Sequence, residues 1–289
     1  QQAFVKLKVN LEISNLQAEV ISTRQKSVRE VLDNGLTVSD TFLTGSYVRN
    51  TMIAPLKQAD VDIIVILDNK YFHNYNSGQN GGQAGLLDLV KRTLLRTYTS
   101  TPDISRSGQA VTIRFSDFVV DVVPGFHRSG GGFLIPNSIT SSWISTDPKK
   151  HVDLSTDANR LHNGDLVPLI KMIKCWNRER GGFFRSFHLE VLAWEVLKGV
   201  QITDYSSGVR YYFDKCRTLV GQKNLDPAGY GGDIGSYINT TEKIQEAVKK
   251  FETAFEKAIR AEEAALQGRN REAIEIWAQL FGGYFPAYG

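Results

Sequence analysis

Three aspartates interrupt runs that are otherwise apolar, and their spacing suits metal-assisted chemistry. Asp60 and Asp62 lie two apart at the head of VDIIVIL (61–67), a β-branched run that predicts a central strand. Side chains alternate faces along a strand, so both carboxylates point the same way. Asp121 sits between valines in FVVDVVP (118–124), where a lone carboxylate is costly to bury. Pairing of the two runs would bring all three acids together. Clustered carboxylates repel one another, and divalent cations resolve the repulsion. Magnesium suits such a set because it takes a few carboxylates and fills its shell with phosphate oxygens. Two ions about 3.5–4 Å apart activate a hydroxyl and stabilise a departing pyrophosphate. Taken singly, a D-x-D pair is also an edge-strand feature, and a mid-strand aspartate is also a loop cap.

The segment ahead of the pair tips the balance toward chemistry. TFLTGSY (41–47) predicts a short strand ending in a Gly45-Ser46 turn. Glycine lets a backbone approach a phosphate closely, and turn amides with a serine hydroxyl supply donors. A Gly-Ser dipeptide alone is common in ordinary turns. The segment is not a P-loop, since GxxxxGK[ST] is absent.

These residues need a scaffold. Apolar positions at helical spacing predict a first helix over 11–32, stopped near Asp33-Asn34-Gly35. Residues 74–85 carry four glycines and predict a loop able to act as a lid, followed by a helix over 86–98. AVTIRF (110–115) and FVVDVVP predict two strands of a hairpin separated by Ser116 and Asp117. GFHRSGGGF (125–133) reads as another glycine-rich loop. The second half changes character, with helices predicted over 165–176, 186–197, 241–267 and 271–280 and Ser186 a candidate cap. The fold class is therefore α+β: residues 1–160 form a mixed core and 161–289 a helical domain, with the 11–32 helix docking on the second to bury its apolar face.

The 289 residues are 42% hydrophobic, enough for a large domain or two modest ones. Charge is nearly balanced at +3, which speaks against a dedicated nucleic-acid surface. Two cysteines without C-x-x-C spacing argue against structural zinc, and Cys175 reads as a buried thiol. The sequence shows no signal peptide and no apolar stretch near 18 residues, so the expected location is cytoplasmic, away from membranes. The first residue is Gln rather than Met, as in a trimmed or renumbered chain.

Together, Gly45-Ser46, Arg49 and Thr51 close behind, Asp60-Val61-Asp62 and the distant Asp121 resemble the polymerase-beta-like nucleotidyltransferase superfamily. Within it the chain looks most like the bacterial cyclic-oligonucleotide synthases of antiphage signalling (the cGAS/DncV-like, or CD-NTase, family). VVDVVPGF, GGFLIPNS, DPKKH (147–151), PLIKMIKCWN (168–177), FRSFHLEVL (184–192), LDPAG (225–229) and WAQLFGGYFP (277–286) carry the narrower likeness over nearly the whole chain.

The resemblance implies a polymerase-beta-like core with an oligoadenylate-synthase-like helical domain. It implies Asp60 and Asp62 on two magnesium ions (manganese being an alternative) and Asp121 on the ion beside the attacking hydroxyl. Gly45 and Ser46 would grip the triphosphate. Lys174 and Ser186, on two spine helices, match phosphate-contacting positions on the opposite wall of a cleft. Lys174 equally suits a solvent-facing helix position, Ser186 a simple cap, and Arg49 either a phosphate contact or a brace for the turn. Where the family often carries tyrosine this chain has Phe187, then His188, which reads as structural. Trp176 and Trp194 read as core anchors.

The implied substrates are nucleoside triphosphates (ATP, GTP, CTP or UTP), with no requirement for long nucleic acid and room for a regulatory protein partner. The implied product is a cyclic di- or trinucleotide second messenger, with release of pyrophosphate. The alternatives are a transferase modifying an RNA 3′ end or a protein, and a non-catalytic nucleotide sensor.

Overall fold

The two runs that carry the aspartates are adjacent parallel strands. The computed structural model describes residues 1–99 and 103–289. The chain divides into two units, Ile13–Val152, and Gln1–Glu12 together with Asp153–Gly289.

Helix α1 (Gln2–Asn10) opens the chain and belongs to the helical unit. The α+β unit comprises α2 (Asn15–Gly35), β1 (Val38–Thr44), α3 (Gly45–Val48), β2 (Asp60–Leu67), α4 (Asn69–Asn76), α5 (Gly82–Leu95), β3 (Ile104–Ser107), β4 (Ala110–Arg114), β5 (Val119–His127), β6 (Phe133–Asn137) and β7 (Ser142–Thr146). The strands form one mixed sheet in the order β1-β2-β5-β4-β3, with β6 joined to the far end of β5 and β7 to β6. Among the described residues, β2 and β5 run parallel and the other strand pairs are antiparallel.

Alternation along β2 separates the two faces of this sheet. Val61, Ile63, Val65 and Leu67 bury themselves with Val120 and Val122 of β5 and with Val28, Leu32, Leu86 and Val90 of helices α2 and α5. The other face of β2 reads Asp60, Asp62, Ile64, Ile66. Its two isoleucines form a smaller cluster with Phe133, Phe42 and Val123. One face is therefore committed to the core, while the N-terminal end of the other is left to the acids.

The N-terminal segment differs from the single helix expected over 11–32. A separate helix ends at Asn10, and Ser14 caps the next: its hydroxyl accepts from the Gln17 amide (3.2 Å) and the Gln17 side chain accepts from the Ser14 amide (2.9 Å). The helix that follows, α2, buries Ile21, Val28 and Leu32 in the sheet unit and leaves Leu16 70% exposed. It is α1 that packs on the helical unit, where Phe4 meets Trp277 and Phe285 edge-on. The 74–85 segment is also more ordered than the loop expected there. Helix α4 runs to Asn76 and α5 starts at Gly82, so only residues 77–81 lie between them, and Gln79–Gly81 form a 3-10 turn. Gly85 packs so closely that a Cβ would stand 1.9 Å from the Asn80 carbonyl oxygen.

Helix α6 (Pro148–Leu161), not foreseen, leads into the helical unit of α7 (Leu166–Glu179), α8 (Ser186–Val196), α9 (Tyr205–Leu219), α10 (Thr241–Leu266) and α11 (Asn270–Phe281). The two units divide at 152/153, inside α6. Trp176 anchors this unit's core against Phe184, Phe213 and Phe251. Trp194 is only half-buried, edge-on to Phe187, and lines a surface cavity of about 970 Å³. Both cysteines are buried free thiols, as read for Cys175, whose pKa burial pushes up to about 12. Among the described residues no helix is long and apolar enough to cross a membrane.

Candidate active site

The site is one row across four strands. Thr44 on β1 faces Asp62 on β2, Asp62 faces Asp121 on β5, and Asp121 faces Thr112 on β4. Asp60 lies two residues before Asp62 on the same face, opposite Val119. One oxygen from each of Asp60, Asp62 and Asp121 falls within 4.8 Å of the others, a spacing at which shared cations can be held. Asp60 is exposed, while Asp62 and Asp121 are half-buried.

The Asp121 carboxyl titrates above the ordinary carboxylate range. Burial is the largest cause, and the Asp60 charge adds to it. The Thr112 hydroxyl donates to Asp121 Oδ1 at 2.5 Å and Arg114 lies nearby; both favour the ionised form and oppose the rise. Carboxylates crowded in this way fit a hard divalent ion, whose charge offsets their mutual repulsion and the cost of burial.

The Gly-Ser turn stands directly against this row. Gly45 has φ of +75°, and a Cβ there would lie 1.8 Å from Asp62 Oδ2. Glycine is thus demanded twice, by backbone conformation and by the carboxylate beside it. Ser46 is half-buried on α3, and its carbonyl accepts the amides of Thr51 (2.9 Å) and Met52 (3.0 Å), which folds the segment back. Arg49 is buried; its amide closes onto the Gly45 carbonyl at 3.2 Å.

The helical unit places the remaining expected residues differently from a solvent-facing lysine and a capping serine. Lys174 is buried, its ammonium 3.3 Å from Glu190, whose side chain is fully buried. Ser186 is exposed as the first residue of α8, and the N-cap position belongs to Arg185, which makes no side-chain cap. Tyr237 supplies the missing acceptor: its hydroxyl takes the Arg185 amide hydrogen (3.1 Å) and lies 2.9 Å from His188 Nδ1. His188 is structural, as read, and burial pushes its pKa down to about 4.

Thr112, Glu190 and Tyr237 were missed in the sequence. For Thr112 the signal was present. A hairpin turning on Ser116-Asp117 pairs Phe115 with Phe118, and counting back sets Thr112 opposite Asp121. Nothing in the sequence joins Lys174 to Glu190 or Tyr237 to α8, because those contacts cross between separate helices and loops.

A mixed sheet carrying a carboxylate triad beside a glycine turn defines a nucleotidyltransferase. The family model of the second messenger oligonucleotide or dinucleotide synthetase domain matches residues 1–159, and the chain belongs to that family. It is a metal-dependent nucleotidyltransferase that builds a nucleotide second messenger from nucleoside triphosphates. The cyclic AMP-AMP-AMP synthase of an Acinetobacter species is 28% identical, over 99% of this chain and 85% of its own length. Among solved structures, CdnC of Escherichia coli MS115-1 with ATP superposes with a TM-score of 0.77 at 17% identity, covering 99% of this chain and 98% of that one. The same protein in a complex with HORMA-deltaN gives 0.72, at 16% identity and the same coverage. CdnG of Bradyrhizobium diazoefficiens with GTP gives 0.73 at 12% identity, covering 96% of each chain. These likenesses establish the α+β fold expected from the sequence.

Proposed function

We propose that this chain joins nucleoside triphosphates, ATP foremost, into a cyclic trinucleotide, without an RNA or protein acceptor. The observation that carries this reading is the Asp62–Asp121 pairing with Asp60 beside it and Gly45 against it. The similarity to a cyclic AMP-AMP-AMP synthase along nearly the whole chain supports the product class.

In this reading Asp60, Asp62 and Asp121 hold two magnesium ions. The ions supply charge neutralisation at the triphosphate and a lowered pKa for an attacking ribose hydroxyl. Asp60 and Asp62 orient the α-phosphorus for in-line attack. Asp121 keeps its carboxylate toward the incoming hydroxyl, with Thr112 fixing its orientation. The missing Cβ of Gly45 lets the Asp62 carboxylate stand directly against the turn, and Ser46 donates to the phosphate oxygens. Arg49 braces the turn from its buried position. Lys174 and Ser186 take part in binding the triphosphate, Ser186 through its exposed hydroxyl at the start of α8. Rate enhancement then comes from positioning and from charge stabilisation at the transferring phosphorus. A regulatory protein partner and a role in antiphage signalling in the cytoplasm complete the reading; a CdnC complex with HORMA-deltaN supports the first.

The test is mass spectrometry of products from ATP, GTP, CTP and UTP with magnesium and no added acceptor. A phosphatase-resistant cyclic trinucleotide, made from ATP alone and lost in the Asp60→Asn/Asp62→Asn variant, is expected. Incorporation only into added RNA or protein would make the chain a transferase of another class. Binding of nucleotide without turnover would make it a sensor.

A further inference from the structure

A second charged site lies in the helical unit, away from the aspartates in sequence and built from other residues. A pocket of about 320 Å³ is walled by one face of α10 and by Arg180, just past the end of α7. Its cations are Arg180, Lys249, Lys250 and Lys257, and its single acid is Glu246. Trp176 and Leu280 contribute the apolar floor. The lining positions Glu246, Lys250, Thr253 and Lys257 recur every three to four residues along α10, which sets Lys250 and Lys257 on one stripe with Lys249 beside it, and Arg260 continues it.

The charges are not balanced locally. Glu246 pairs with Lys250 at 3.4 Å. Among the described residues, Arg180, Lys249 and Lys257 form no ion pair. Four cations against one acid give this lining +3, the net charge of all 289 residues, so the rest of the sequence is balanced at 30 against 30. The Lys257 ammonium is held below its ordinary pKa by burial, and then by the like charges of Arg180 and Arg260. Crowded like charges raise the free energy of the unliganded protein, and a multiply charged anion is what removes that cost.

We propose that this pocket binds a small molecule carrying a chain of phosphates, at least three negative charges, independently of magnesium and of the aspartate site. Three unpaired cations match a triphosphate chain in number. Convergence on a pocket near the lower end of small-ligand volumes, about 300–1,000 Å³, favours a compact anion over a duplex lying across a broad surface. The lysines bind phosphate as mobile point charges, and Arg180 presents a planar fork.

The test is isothermal titration of the full chain with tripolyphosphate, and in parallel with ATP, in EDTA so that the aspartates retain no metal-bound phosphate. Saturable binding is expected, weakened at least 10-fold in Lys249→Ala/Lys257→Ala and unchanged in Asp60→Asn/Asp62→Asn. The lysine variant should melt at or above the wild-type temperature without ligand, because repulsion is relieved, and should lose the rise in Tm that tripolyphosphate gives the wild type. Tighter binding of ATP than of tripolyphosphate, with the same lysine dependence, identifies the occupant as a nucleotide. Equal affinity in wild type and lysine variant overturns the proposal. So does a short DNA duplex that competes for these lysines more tightly than tripolyphosphate.

Discussion

Gly45 and Asp62 occupy the same space: a Cβ on the glycine would stand 1.8 Å from the Asp62 Oδ2 oxygen. The turn proposed to approach phosphate and the carboxylate proposed to hold metal are thus one packed unit, and a change at either is felt at the other. Gly45→Ala should displace Asp62 and also strain a backbone with φ of +75°. An activity loss of about 10²-fold is expected from misplacement on this scale, with only a modest fall in Tm. Steady-state kinetics beside thermal melts would check it, and near-wild-type turnover would refute the shared space.

The Thr112 hydroxyl favours the ionised form of Asp121, opposing burial and the Asp60 charge. Its removal in Thr112→Val should raise the Asp121 pKa further. The acid limb of the pH–rate profile should then move to higher pH, with activity on the alkaline side little changed. A uniform loss at all pH values would instead mean that Thr112 only orients the carboxylate.

The buried Lys174–Glu190 pair separates a structural role from a substrate role. Lys174→Met leaves Glu190 charged and buried, a change that costs about 3–5 kcal/mol. The double variant Lys174→Met/Glu190→Leu should recover most of that stability in urea melts. If Lys174 also binds phosphate, the recovered protein should still show a raised KM for ATP. A wild-type KM would assign the lysine to folding alone.

His188 gives a pH signature of stability. Its folded-state pKa of about 4 lies below the ordinary 6.5, so the unfolded chain binds the extra proton between those values. The stabilisation is in place above about 6.5 and is lost as pH falls through about 4. Wild-type Tm should drop over this window, and His188→Gln should flatten the drop. Tyr237→Phe removes the hydroxyl that serves both Arg185 and His188, and should fray the start of α8, raising exchange rates of its first amides.

The aspartate site was legible in the sequence because its geometry is local to a few strands. Alternation set Asp60 and Asp62 on one face, and the Ser116-Asp117 hairpin fixed the register of Asp121 against its antiparallel neighbour. The Ser14-to-Gln17 capping box was also there to be read, and it starts the helix at Asn15 rather than at residue 11. Tertiary structure decided the rest. Only the parallel pairing of β2 with β5 puts Asp62 beside Asp121, since parallel strands are joined by long crossovers that carry no register signal. The collision that demands glycine at position 45, the Glu190 partner of Lys174, the Tyr237 cap and the unpaired cations around Lys257 all depend on contacts between residues far apart in the chain. Spacing along a sequence records which face a side chain takes, but not which distant group comes to meet it.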